Sequence, residues 1–263
     1  MRGTFLFVAS VLLVLFATAG GEASGLYYIK AEATQPNGMT GSDTTEEVAP
    51  AVGSISDAKL QPDGKLVDVV GAVTHVTQDQ FWLELPDRSS GIGVIGGFPQ
   101  PTRDQIVRVR GTMTTKGLER EIEAVDVEFV SSPPISIKPL AMPNRSVGGG
   151  DFEYDPSTGA GQVGAPGGNG LNNVGLLVRT FGGYAGNATA SSGRMYYIID
   201  DGSAPGVIPN IGILLDTDVV FRPNQYLMAT GICGVERLPI GWIMPIIRAR
   251  DANDVQVIPP VFR

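Results

Sequence analysis

The chain has 263 residues and a formal net charge of −8, with 35 glycines, 19 prolines, one cysteine and one histidine. The acidic surplus excludes a nucleic-acid partner, because polyanion backbones are read by clustered Lys and Arg, and neither half of the sequence supplies such a cluster. Cys233 alone cannot form an intrachain disulfide, and Cys233 with His75 cannot make a zinc site within one chain.

The N-terminus carries Arg2, an apolar run from Phe5 to Ala17, and Ala17-Thr18-Ala19 in the A-x-A arrangement. This pattern predicts a secretory signal over residues 1–19, with an uncleaved anchor as the alternative. The run is shorter than the roughly 20 residues of a spanning helix, so no membrane insertion is expected after cleavage. The expected location is therefore extracellular or on the cell surface. Residues 20–53 follow as an N-terminal strand and a tether. Leu26 to Ala33 is rich in strand formers, while Thr34 to Gly53 is polar and lacks periodicity. Leu26, Tyr27, Tyr28 and Ile29 are the candidate assembly strand. They are available to pair within their own chain or to add to a sheet edge of a neighbouring molecule.

Residues 54–138 read as five short strands without a long helix. Leu66–Thr77 is β-branched with Gly71 in its middle, where a bend is usual. Gln80–Leu85, Ile92–Ile95, Ile106–Thr112 and Arg120–Val130 follow, with a turn at Pro86–Gly91. This order fits an OB-like five-stranded barrel. Pro139–Gly170, dominated by Gly, Pro and Asn, reads as a flexible linker or large surface loop. Residues 171–263 repeat the strand order: Val174-Gly175 matches Val70-Gly71, Met195–Asp201 matches Gln80–Pro86, and Tyr226–Gly231 matches Ile106–Gly111. The expectation is an all-β chain of two tandem OB-like barrels, with one larger β-sandwich as the alternative.

The stretch Phe81-Trp82-Leu83-Glu84-Leu85-Pro86-Asp87-Arg88-Ser89-Ser90-Gly91-Ile92, followed by Thr102–Gly111, resembles a recurrent pattern of secreted bacterial OB-fold domains. The resemblance covers residues 54–131 and, more loosely, 171–258, where the D-R-S-S turn is missing. It implies accessory or structural work outside the cell rather than chemistry. Within the turn, Asp87 and Ser89 are placed to bond nearby backbone N–H groups, and Gly91 to take a positive φ.

No catalytic residue stands out. A Ser/His/Asp triad would have to use His75, and no Gly-x-Ser-x-Gly elbow accompanies it. Carboxylates such as Glu84, Asp200 and Glu121 offer no singled-out pair for glycoside hydrolysis. No cofactor is expected; the closely spaced oxygens of Asp216-Thr217-Asp218 and Asp251 to Asp254 leave calcium as a minor option. Strand alternation turns Phe81, Leu83 and Leu85 to the core and Trp82 and Glu84 outward, with Tyr197 in the place of Trp82 in the second copy. Trp82, Glu84, Arg88 and Tyr197 are thus the candidate ligand or partner face. The expected function is a non-enzymatic, self-assembling extracellular structural subunit whose partners are other copies of itself. The alternative is an extracellular carbohydrate- or surface-binding accessory module.

Overall fold

The computed structural model describes residues 10–12, 26–34, 40–48, 53–96, 99–204 and 212–259. It divides into two compact units, Met1–Ala51 and Val52–Arg263. In the first unit, β1 (Ser10–Leu12) pairs antiparallel with β2 (Leu26–Thr34), which pairs antiparallel with β3 (Thr40–Val48). The candidate assembly strand is therefore hydrogen-bonded within its own chain: Leu26, Tyr27, Tyr28 and Ile29 face Val48, Glu47, Glu46 and Thr45 in register. Part of the expected tether is a strand, because β-branched Thr40, Thr44, Thr45 and Val48 follow the turn formers Pro36-Asn37-Gly38. The remainder of the expected signal, residues 1–9 and 13–19, lies outside the described residues.

The second unit begins with a helix that strand periodicity does not reveal, α1 (Ile55–Lys59). Ser54 Oγ accepts from Asp57 N at 3.0 Å and the Asp57 carboxylate accepts back from Ser54 N, a capping box that fixes the first turn. The helix drives Ile55 and Ala58 into the core of a closed barrel. That barrel consists of β4 (Leu66–Val76), β5 (Gln80–Glu84), β6 (Gly91–Ile95), β7 (Ile106–Lys116) and β8 (Glu119–Phe129). Its order is β4-β5-β6-β8-β7; β6 and β8 run parallel and every other pair antiparallel. Alternation places Phe81, Leu83, Ile92, Val94, Met113 and Ile122 inside, all buried.

The rest of the unit holds β9 (Leu140–Ala141), β10 (Leu177–Thr189), β11 (Met195–Asp200), β12 (Ile213–Asp216), β13 (Tyr226–Arg237), β14 (Ile243–Arg248) and β15 (Val255–Ile258). They form one sheet in the order β15-β13-β14-β12-β11-β10-β9, in which β10 also pairs with β13. The pairings of the first barrel recur here, down to a parallel β12–β14 pair matching β6–β8. The register shift between Val73 and His75 in β4 matches one between Tyr184 and Gly186 in β10.

These registers change the sequence alignment. Gly111 pairs with Val67 and Gly231 with Val178, so the residue in β10 that corresponds to Gly71 is Gly182 rather than Gly175. Likewise, Leu83 pairs with Val73 and Ile92, as Ile199 pairs with Tyr184 and Ile213. Tyr197 therefore occupies the place of Phe81, and Ile198 that of Trp82. A shift of one residue reverses the face, and this is why Tyr197 points into the core beside Phe221.

The segment 139–170 is packed rather than a free linker. Asn144, Val147 and Gln162 have no exposed surface. Gln162 Oε1 accepts from Arg120 N, its Nε2 donates to Leu118 O, and Gly161 N donates to Lys59 O at 2.7 Å. Asn144 Nδ2 donates to Thr180 Oγ1 and its Oδ1 accepts from Asp201 N. Amide side chains and backbone groups hold the segment to both β modules, so its lack of apolar residues does not leave it loose.

Candidate functional site

The outer face of β5 is where an OB-like barrel usually binds. Trp82 and Glu84 do point outward there, but the second β module covers them. Glu84 has no exposed surface; its Oε2 accepts from Leu177 N at 2.8 Å and its Oε1 accepts from Arg88 Nε. Arg88 also donates to Lys138 O and to Leu177 O, so the D-R-S-S turn joins both modules and the segment between them. Asp87 accepts from Ser89 N and Oγ, as the sequence suggests, but the positive φ falls on Arg88 at 65°. Gly91 serves a different need: a Cβ there would strike the carbonyl group of Gly175 in the facing module. Burial pushes the Glu84 carboxyl up, and the bonds from Leu177 N and Arg88 hold it back.

Trp82 sits in an apolar cluster with Ala72, Ile137, Leu177 and Ile232, drawn from both modules and the segment between. One face of its ring stacks on His75, with centroids 5.2 Å apart. Burial, together with Arg103 and Arg250, pushes the His75 imidazole down to about 4. Two further polar links cross the same seam. The Glu119 carboxylate accepts from Val235 N and from both terminal nitrogens of Arg248, and Lys59 Nζ donates to Val174 O at 2.7 Å. Burial lowers the Lys59 ammonium to about 8 and raises the Cys233 thiol to about 12.

Beside Trp82 the seam opens into a cleft of about 460 Å³, lined by Gln80, Trp82, Lys116, Glu121, Glu236 and Arg248 among others. Glu121 is 5% exposed. Its Oε1 accepts from Gln80 Nε2 at 2.7 Å, and its Oε2 has no hydrogen-bond partner. Burial raises its pKa. The acidic pairs suggested for calcium are engaged elsewhere: Asp216 and Asp218 by Arg194, Asp251 by Arg103, and Asp254 by Arg250. Among the described residues, no three His, Cys, Asp or Glu side chains gather to hold a metal ion.

A second surface feature lies on the outer face of β10, β13 and β15. Phe181 pairs with Met228, and Tyr226 with both Gly183 and Ile258, so these side chains share one face. Phe181, Tyr226 and Ile258 are 50%, 58% and 41% exposed. Sequence reading missed this patch because Phe181 and Tyr226 lie far apart in the chain. It missed Glu121 because a strand glutamate looks like any solvated one.

Of the four candidate face residues, the structure brings Trp82, Glu84 and Arg88 together at the seam and places Tyr197 in the core of the second module. No protein-family model matches the chain, and no curated protein matches it significantly.

Proposed function

We propose that the chain is an exported, non-catalytic structural subunit built on two OB-like barrels, and that it associates with further copies of itself through the outer face of β10, β13 and β15. The carrying observation is the apolar patch of Phe181, Tyr226, Met228 and Ile258 beside β15, the last strand of its sheet. Contiguous exposed apolar surface of this kind marks an interaction site. The reading of the second module as an OB-like barrel is supported by the repeated pairings and the repeated register shift. Export is supported by Arg2, the Phe5 to Ala17 run and Ala17-Thr18-Ala19. A non-catalytic role is supported by the use of the buried carboxylates Glu84 and Glu119 as links between modules.

Because β2 already pairs with β3, self-association is assigned to the sheet face rather than to strand donation. Analytical ultracentrifugation of the mature protein is the test. Concentration-dependent oligomers are expected, lost in a Phe181→Glu/Tyr226→Glu variant whose melting temperature is unchanged. A wild-type protein that stays monomeric at every concentration, or a variant that assembles normally, overturns the proposal.

A further inference from the structure

We propose that the cleft beside Trp82 binds a neutral saccharide, whose hydroxyl groups bond to Glu121 Oε2 and Trp82 Nε1 around Gly93. The site is distinct from the apolar sheet face and stands whether or not the protein self-associates.

The two polar atoms are complementary, and both lack a partner among the described residues. Glu121 Oε2 is a buried acceptor without a donor, and such an atom is costly to bury unless something bonds to it. Trp82 Nε1 is a donor, and among the described residues nothing accepts from it. Gly93 lies between them in the register, opposite Trp82 on β5 and opposite Glu121 on β8. A Cβ built on Gly93 would sit 2.6 Å from Gln80 Nε2, 3.4 Å from Trp82 Nε1 and 3.4 Å from Glu121 Cγ, so glycine is what lets the Gln80 amide lie between the indole edge and the Glu121 stem and hold the Glu121 carboxylate through Oε1. Hydroxyl groups both donate and accept, and a sugar therefore offers a donor for Glu121 Oε2 and an acceptor for Trp82 Nε1.

The surroundings select against charged ligands. The cleft is lined by Lys116, Arg237 and Arg248 and by Glu119, Glu121 and Glu236, which balance. Arg248 is already held by Glu119 at 2.8 Å, with Glu236 at 3.8 Å. The volume of about 460 Å³ falls within the range of small-ligand clefts, about 300–1,000 Å³. His75 occupies one face of Trp82 and the residue is only 5% exposed in its apolar cluster, so recognition is by the edge of the indole and by hydrogen bonds rather than by ring stacking.

The second module shows the same lattice positions closed. Where the first has Gln80, Trp82, Gly93 and Glu121, cross-strand register gives Tyr196, Ile198, Leu214 and Ile246. Those four pack on one another as an apolar cluster with Met244. The polar version is thus a feature of the first module and not a requirement of the strand order.

The test uses the full mature chain carrying Trp242→Phe, which leaves Trp82 as the sole tryptophan of the two. Its emission is titrated with maltose, cellobiose and N,N′-diacetylchitobiose, and with glucosamine and glucuronate as charged comparisons. A saturable change is expected with at least one neutral sugar. Glu121→Gln and Gly93→Ala should each weaken it about tenfold or more, the loss of one hydrogen bond to a charged group. Glu123→Gln, at an exposed position of the same strand, should leave it unchanged, and melting temperatures confirm that each variant is folded. No saturable change with any neutral sugar, undiminished binding in both Glu121→Gln and Gly93→Ala, or tighter binding of either charged sugar overturns the proposal.

Discussion

The two β modules share a pairing scheme and a bulge, yet their outer faces have opposite chemistry. On β5 and β8 the outward residues Gln80, Trp82, Glu84 and Glu121 are polar or aromatic, and Trp82 and Glu84 are buried under the second module. On β11, β12 and β14 the places of Gln80, Trp82, Gly93 and Glu121 are taken by Tyr196, Ile198, Leu214 and Ile246, which pack on one another. The exposed apolar surface of the second module instead lies on β10, β13 and β15, at the N-terminal end of β13. One strand order therefore supports two uses: a face that docks another module around a polar cleft, and a face closed with Leu214 and Ile246. The strand lattice fixes which residues share a face, and the side chains decide what that face meets.

The sharpest way to break this comparison is a matched pair of substitutions. Glu84→Ala removes a fully buried carboxylate, leaving Leu177 N without its acceptor and Arg88 without its counter-ion, so a loss of about 3–5 kcal/mol is expected in chemical denaturation. Asp200→Ala, at the equivalent position of the second module, removes only a half-buried turn acceptor for Gly202 N, and about 1 kcal/mol or less is expected. Equal losses at the two positions would contradict the assignment of the first face to docking.

A second effect is pH-dependent. Above pH 6.5 the His75 imidazole is neutral in both the folded and unfolded chain. As the pH falls from 6.5 towards 4, the unfolded chain takes up the proton first, so stability falls with pH across that window. The expected loss is about 3 kcal/mol, complete once the pH is below the folded value of about 4. Denaturation midpoints measured across this range should show the decline in the wild type, and His75→Phe should flatten it.

Smaller effects separate the barrel end from the seam rim. Ser54→Ala removes the capping box of α1 and should cost about 1 kcal/mol. Arg103→Ala breaks an ion pair with Asp251 that is about two-fifths exposed on each side, and a loss of about 0–1 kcal/mol is expected. A cost at Arg103 as large as that at Glu84 would place the main link between modules at the rim.

Much of this was legible in the sequence, and the rest was hidden for physical reasons. Alternation in Phe81-Trp82-Leu83-Glu84 gives the correct side for each residue, because period two follows directly from the extended backbone. It does not tell what covers the outward side, which depends on chain far away at Leu177 and Ile232. Aligning Tyr196-Tyr197 with Phe81-Trp82 by residue type slips the register by one, which turns Tyr197 to the outer face although it belongs to the core. The helix α1 is too short for periodicity to show, although Ser54-x-x-Asp57 carries its capping signal. The segment 139–170 read as a linker because its burial relies on Asn144, Gln162 and backbone bonds, for which composition offers no sign. In the cleft, Trp82 was visible as a candidate, whereas Gly93 and Glu121 become a site only when β6 and β8 lie side by side.

With the β5 face covered and tied to the second module through Glu84, Glu119 and Trp82, the two modules should unfold as one cooperative unit. Native-state hydrogen exchange on the full chain tests it most directly, by comparing the slowest amides of β5 with those of β11 as denaturant is raised. The expected result is one common opening free energy with one denaturant dependence for both strands. A population in which one module exchanges through its own lower-energy opening, while the other remains protected, would contradict it.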